Sequence, residues 1–566
     1  MTSGSPRLLG GEMLAWSDLD GSRGPGPVGG PTLTGLLTAV GGRTLVVGPH
    51  HPDLLDAVPS PDLTILVRGL PDAETLTTRY ADRPEVQVYC GSPEKLPASP
   101  QYDTLVALDG LGRLTSVEGS DLSWTDLFDL LVSMLRPTGR LLLGAENLLG
   151  LHRLPWPPPE RTDSDWTAPE EYDHTRPGGL PRLRDRLAAS GLWTVGTWAT
   201  FPGPRTPTAL LGTDLLADTD LTGFLQAALS ATDPGPSVPP PAELGPLAEL
   251  GRSVPPLADP ARLAVVALRH GGATELAPGW VVLAERLAGT NTNTNTTPER
   301  HDDSDEGADP VGSRPPAAVL SWGGRRGREV HRGPAGGWRY ADGAVVPSGR
   351  TAEDLVLAAT ARREVPALRA LLTAWQAGPL ADVPADQVVV PPHGAWHAVT
   401  AAEPTEVVRR AYAEATGRTE SPTGPVEGES REVGSDVVLR RLASRMIDAG
   451  LAYLWPAGEL TSTLATLAGR DPVPFADDRA QAVAGGWREL LVDRDELARE
   501  VAEARALAQW YERTLTERDR ELTRLRRIVS LVSGTPTARA GRILLAGART
   551  ARRTARTALH HLRHPT

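Results

Sequence analysis

The chain has 566 residues, a formal charge of −12 and a 40% apolar fraction. It is too long for one ordinary hydrophobic core, so three or more segments are expected. Its one cysteine, Cys90, excludes an intramolecular disulfide framework and any Cys-cluster zinc site.

Residues 1–30 are rich in Gly, Pro and Ser and are expected to be disordered. They lack the apolar stretch of a signal peptide, and no run in the chain approaches the ~18 apolar residues of a membrane span. A cytoplasmic location follows as an expectation. Five strand signals come next: Arg43 to Gly48, Asp62 to Arg68, Glu85 to Gly91, Tyr102 to Asp109 and Gly139 to Gly144. Short apolar strands alternating with helices predict an α/β fold with a parallel sheet covered on both faces. Cys90 falls in one of these strands and reads as an inert core thiol. Such sheets bind ligands at the carboxyl ends of their strands, near Gly48, Arg68, Ser92 and Asp109.

The stretch from Trp156 to Gly179, rich in Pro, Asp and Trp, interrupts the pattern after the fifth strand. Residues 217–260 are read as a Pro-rich linker, and 261–475 as a smaller α+β domain. Within that domain Ala261–Leu268, Gly279–Leu287, Ala317–Trp322 and Glu329–Gly333 read as strands. Thr351 starts a helix through Trp375, and Val437–Leu451 is another. A low-complexity insert at 288–316 has almost nothing apolar to bury. The strand-then-helix order loosely resembles kinase-like phosphotransferases. However, there is no D-F-G, and the single lysine, Lys95, lies elsewhere. His51-Pro-Asp53 and His301-Asp-Asp303 lack a catalytic-loop context. A lid, substrate-recognition or partner-binding role is expected for this domain instead.

From 487 to 533 there is no Gly or Pro. Leu490, Leu497, Val501, Ala504, Ala508, Tyr511, Leu515, Leu522, Leu525, Val529 and Val532 alternate in steps of three and four. Arg494 and Arg518 fill the remaining seam positions. This predicts a long coiled-coil helix and a homodimer, with a helix folded back on its own protein as the alternative. The tail, 534–566, is basic. From Arg524 onward there are ten arginines and no Asp or Glu, so the overall −12 leaves −22 on the preceding residues. A basic amphipathic helix suits an anionic membrane surface; an Arg-rich disordered end is the alternative. No aromatic stacking residues accompany these arginines, which argues against nucleic acid.

Several segments together resemble the class I S-adenosylmethionine (SAM) dependent methyltransferases, with a Rossmann-like sheet. Leu45-Val46-Val47-Gly48 looks like the family's first strand and its glycine. Gly91-Ser92-Pro93-Glu94-Lys95-Leu96-Pro97 with Tyr102-Asp103 looks like its third loop and fourth strand. Leu131 to Leu143, through Arg136-Pro137-Thr138-Gly139, resembles an L-x-x-x-L-R-P-G-G-x-L-L-L segment with Thr138 replacing a glycine. Leu183 to Leu192 resembles the last helix and its glycine stop, and 193–201 and 208–215 the closing antiparallel pair. The resemblance covers residues 31–216 and implies SAM as the cofactor. It places cofactor contacts at Gly48, Pro49, His50, Arg68, Ser92, Pro93, Asp109 and Gly110, and a substrate lid at 156–179. Three contacts depart from the family: Pro49-His50-His51 replaces a glycine-rich loop, Arg68 stands where a ribose-binding acid is usual, and Ser92 where an Asp often meets adenine.

Methyl transfer needs a held nucleophile and, for a hydroxyl or amine acceptor, a base. The candidates at the crevice mouth are His50, His51, Asp109, Glu146 and His152, of which Asp109, Glu146 and His152 are the expected catalytic residues. Adjacent histidines point in different directions, so a metal site at His50-His51 is not expected. Trp510 to Leu522 resembles a W-Y-E-x-x-L-x-x-R-D-x-E-L run in the coiled coils of bacterial surface-glycan assembly proteins. That makes a glycan or small-molecule acceptor the expectation. Two function classes stay open: an active methyltransferase, perhaps peripheral to the membrane, and an inactive methyltransferase-like scaffold working through its coiled coil and tail.

Overall fold

The computed structural model describes residues 5–561 apart from 22–24, 117, 156–172, 233–257, 288–314, 323–324, 335, 400–426, 452–454, 456–458, 472–484 and 535. The chain forms two compact units: 1–451 with 457–488, and 452–456 with 489–566.

The first unit is built on a twelve-stranded sheet. Its strands are β1 (Arg7–Gly10), β2 (Arg43–Val47), β3 (Asp62–Val67), β4 (Val86–Gly91), β5 (Tyr102–Ala107), β6 (Leu135–Glu146), β7 (Leu192–Phe201), β8 (Ala209–Gly212), β9 (Gly279–Arg286), β10 (Ala318–Trp322), β11 (Arg325–Arg332) and β12 (Trp338–Tyr340). They lie in the order β1-β4-β3-β2-β5-β6-β9-β7-β8-β10-β11-β12. From β1 to β6 all pairings are parallel. The chain starts this sheet at β2, runs outward to β4, then returns to the other side of β2 with β5. The order therefore reverses between β2 and β5, which opens a crevice above their carboxyl ends.

Alternation decides which side chain faces which layer. Leu45 and Val47 of β2, with Leu105, Ala107, Leu141 and Leu143, meet Leu127, Phe128 and Leu131 of the helix Trp124–Met134. Val46, Ile65 and Val106 face the other way, onto Leu33, Leu37, Leu54 and Leu76. Both faces are buried, which is why these strands read as continuous apolar runs. Cys90 is buried on the second face, and burial pushes its thiol up to about 12.

The sheet does not end where the sequence suggested. The expected pair does form, as β7 and β8 are antiparallel with Phe201 opposite Ala209. But β9, assigned above to a separate domain, lies between β6 and β7 and is antiparallel to both. Further strands, β10 to β12, extend the same sheet beyond β8. The 261–475 segment is therefore no independent α+β domain; its strands β9 to β12 complete the first sheet. Ala261–Leu268 is a helix, Pro260–Arg269, rather than a strand. The Asp259 side chain accepts from the Ala261 and Arg262 amides, and Pro260 opens the first turn. That cap and proline outweigh the apolar run.

The Pro-rich linker is helical at its start: Thr222–Ala231 is almost wholly buried. Its remainder, with most of the expected lid and the low-complexity insert, lies outside the described residues. The single helix expected from Thr351 is two, Ala352–Ala361 and Val365–Gln376, broken where Arg363 takes φ 58° ahead of Pro366. The helix Glu427–Asp448 starts before the one expected at Val437–Leu451 and ends three residues short of it, and its Arg445 pairs with Asp259. A small sheet of β13 (Arg350–Thr351), β14 (Val388–Val390) and β15 (His397–Ala398) sits in the same unit.

The N-terminal stretch is ordered where it was expected to be disordered. Residues 5–21 and 25–30 add β1 beside β4, pair Met13 with Gly69, and pair Val28 with His50. Backbone pairing, not apolar content, fixes this segment.

Nearly all of the helix Gly485–Gly534 falls in the second unit, which also holds the helix Pro536–His561. The seam positions Leu497, Val501, Tyr511, Leu515, Leu522, Leu525 and Val529 are exposed in the single chain. Among the described residues no helix is long and apolar enough to cross a membrane.

Candidate functional site

The site is built from what leaves the carboxyl ends of β2 to β6. After β2, Gly48 takes φ +88°, and a Cβ there would lie 3.3 Å from a Leu114 methyl. His50 turns back under the loop. Its Nδ1 bonds the Gly48 carbonyl at 3.1 Å, and the Leu108 amide donates to its Nε2 at 3.2 Å. One nitrogen must then carry the proton and the other must accept, so the ring is neutral. Burial holds its pKa down to about 4. His50 thus ties the β2 loop to the end of β5 and is no general base. His51 is exposed and caps the short helix Pro52–Asp56.

At the end of β3, Arg68 is 3% exposed. It makes a two-pronged bond to Asp18, Nε to Oδ2 and Nη2 to Oδ1, both 2.8 Å, and its Nη1 donates to the Thr115 carbonyl at 2.9 Å. The Trp16 ring lies 5.8 Å from the guanidinium, and its Nε1 donates to Asp18 Oδ1 at 3.1 Å. Burial alone would raise the Asp18 carboxyl, but Arg68 and Arg113 outweigh it and hold it below its usual range. At the end of β4, Ser92 is 1% exposed and its amide donates to the Gly10 carbonyl at 3.0 Å. The Ser92 hydroxyl has no hydrogen-bond partner. Pro93 opens a short 3₁₀ turn beside it.

At the end of β5, the Asp109 carboxylate is gripped by Arg113 at 2.6 and 2.7 Å, with Arg205 Nε 3.4 Å away. Gly110, φ +83°, turns the chain behind it. At the end of β6, Glu146 collects His152 Nε2 at 3.0 Å, Arg153 Nε and Nη2 at 3.1 and 3.0 Å, and Arg205 Nη2 at 3.2 Å. Burial would raise its pKa, but Arg205, His152 and Arg153 pull it far below the usual carboxylate range. Arg176 donates to the Glu146 carbonyl at 2.7 Å, and the Asn147 amide holds the Glu275 and Ala277 carbonyls.

Of the expected catalytic residues, the fold brings Glu146 and His152 into direct contact and links Asp109 to Glu146 through Arg205. A carboxylate on His152 Nε2 fixes the tautomer, with the proton on Nε2 and the lone pair on Nδ1. This is the arrangement that makes an imidazole a base. The eight expected cofactor contacts lie at or just after the carboxyl ends of β2 to β5. Yet every one of their side chains or backbone turns is covered by protein: Gly48, Pro49, His50, Arg68, Ser92, Pro93 and Gly110 are buried, and the Asp109 side chain is 2% exposed. The cover comes from the N-terminal stretch and from residues 110–120. The unsatisfied Ser92 hydroxyl suits SAM, but Gly48 leaves no room for it while Leu114 stands against that glycine. Nor does SAM fit Arg68 while Asp18 occupies it.

Sequence reasoning missed Trp16, Asp18, Arg113 and Arg205. Trp16, Asp18 and Arg205 reach their partners in the site across a long separation, Arg113 grips Asp109 four positions away, and Asp18 sits in a stretch whose composition signals only disorder. Among the described residues no group of three His, Cys, Asp or Glu is placed to hold a metal.

No family model and no curated protein matches the chain. Among solved structures it is similar to a Haemonchus contortus phosphoethanolamine N-methyltransferase in complex with phosphomonomethylethanolamine and S-adenosylhomocysteine. The identity is 10% and the TM-score 0.23, over 44% of this chain and 49% of that one. It is also similar to an S-adenosylmethionine dependent methyltransferase from Mesorhizobium loti, at 13% identity and TM-score 0.23, over 44% of this chain and 93% of that one. Likenesses this low concern the fold alone. The architecture rests on the strand order, which is that of a Rossmann-like sheet extended by antiparallel strands.

Proposed function

We propose that this chain is a SAM-dependent methyltransferase acting on a hydroxyl or amine of a glycan or small molecule. The observation that carries this reading is the Glu146–His152 pair at the end of β6, beside the crevice where the strand order reverses. SAM would supply an electrophilic methyl group. Ser92 and Gly48 would hold it, and Asp109 would face its methionine part, as the resemblance implies. His152, oriented by Glu146, would take the acceptor proton once its Nδ1, buried beside Gly150 in this state, is uncovered. Glu146 stays ionised and serves to aim and charge-balance the ring. Arg113 and Arg205 keep Asp109 and Glu146 apart and fixed.

Two partner readings accompany this one. The heptad pattern with its exposed seam supports a homodimer through the long helix. The helix Pro536–His561 supports docking on an anionic membrane surface: at 100° per residue, Arg539, Arg542, Arg549, Arg552, Arg553 and Arg556 share one side, with Leu545 among them, and Leu544 lies opposite.

The first test is a calorimetric titration of SAM into full-length protein and a Gly48→Val variant. Saturable binding in the parent that the variant loses supports the reading. A folded parent that takes no SAM sinks it. The second reading, an inactive scaffold, is favoured by one observation, that the expected cofactor contacts are covered by the chain's own residues.

A further inference from the structure

The residues that cover the crevice have the construction of a gate. The N-terminal stretch crosses the strand ends in order. Gly10 receives the Ser92 amide, Met13 pairs with Arg68 and Leu70, Asp18 holds Arg68, and Val28 bonds Pro49 and His51. From the other side, Arg68 reaches Thr115, Ser116 donates to the Gly11 carbonyl, and Arg113 reaches the Pro25 and Gly26 carbonyls. The two covers meet over Ser92. A Cβ on Gly11 would come within 2.5 Å of the Ser92 hydroxyl, and one on Gly119 would collide with it.

Three features distinguish this cover from permanent core. Between residues 11 and 21 Met13 and Trp16 are buried, Leu19 packs half-buried against the core and Leu14 is exposed, so few apolar contacts hold this strap, whereas Val28, Leu111 and Leu114 on either side of it are core residues. Its ends turn at Gly11, φ +78°, and Gly21, φ +66°, both able to absorb large backbone rotations. And closure leaves the Ser92 hydroxyl, at the end of β4 where a ligand would lie, buried with no partner among the described residues.

We infer that residues 10–21 form a gate over the strand ends, latched by Asp18 on Arg68 and seated by Trp16. A nucleoside-bearing cofactor enters when the latch opens. This rests on the methyltransferase reading and adds its regulation: affinity for the cofactor is set by the fraction of molecules with the gate open.

The test uses full-length protein with S-adenosylhomocysteine as the probe. The parent is compared with Asp18→Asn, which weakens the latch, and Trp16→Ala, which removes the ring that packs on Arg68 and bonds Asp18. Calorimetry reads affinity, and hydrogen exchange reads the amides of residues 11–21. The expected result is faster exchange there and about tenfold tighter binding in both variants, as when an open fraction of one in a hundred becomes one in ten. Equal affinity in all three proteins, with faster exchange in the variants, overturns the gate and leaves the methyltransferase reading standing. Weaker binding in both variants also overturns it, because the strap then belongs to the bound form. No binding in any folded protein overturns the gate and that reading together.

Discussion

The two halves of the crevice differ in how their charges are arranged. Above β2 to β4, Arg68 and Asp18 form a buried two-pronged pair, with Arg113 4.0 Å from Asp18. Above β5 and β6, two carboxylates, Asp109 and Glu146, share Arg113, Arg153 and Arg205, and His152 joins them. A two-pronged pair of charges serves as a latch. A network with one carboxylate aimed at an imidazole fixes a reactive geometry. The comparison teaches that the cofactor side is built to close and the acceptor side is built to hold still.

The sharpest way to break this comparison is to remove the imidazole. His152→Ala should lower methyl transfer by about 10²–10⁴-fold while SAM binding, read by calorimetry, stays at the parent value. A parallel loss of binding would move His152 out of the acceptor half. Next in size is the latch as a buried pair. Arg68→Ala strands the Asp18 carboxylate and should cost about 3–5 kcal/mol in urea unfolding. Arg205→Ala should cost less, since Glu146 keeps His152 and Arg153.

His50 gives the comparison a pH axis. It is neutral when folded, with its pKa lowered from 6.5 to about 4. The unfolded chain binds the extra proton first as pH falls, so stability is full above pH 6.5 and declines between about 6.5 and 4. The loss should reach about 3 kcal/mol at the lower end. Denaturant midpoints against pH measure it, and a His50→Gln variant should flatten that part of the profile. The smallest effect lies outside both halves. Thr138 holds φ 65° where a β-branched residue is strained, so Thr138→Gly should raise stability by about 1 kcal/mol. An unchanged melting temperature would contradict that.

What the sequence made legible follows from the range of each interaction. Strands β2 to β6 could be read because burial on both faces writes the same apolar run at any position in the sheet. For the same reason the run at Gly279–Arg286 could not say which sheet it joins; its place between β6 and β7 is decided by pairing across more than a hundred residues. The N-terminal stretch was misread because its order comes from backbone bonds and from Asp18, fifty positions from Arg68. In the site, Glu146 and His152 were within reach of sequence reasoning because they flank one strand end. Arg205 was not, because the turn after β7 carries no mark of the carboxylates it meets.

The most direct measurement of the central claim is hydrogen exchange of full-length protein with and without SAM, followed peptide by peptide. Slower exchange confined to the strand ends, residues 46–52, 66–70, 90–96 and 106–112, is the predicted result. Protection elsewhere, or none at saturating SAM, would contradict a cofactor site above the carboxyl ends of β2 to β5.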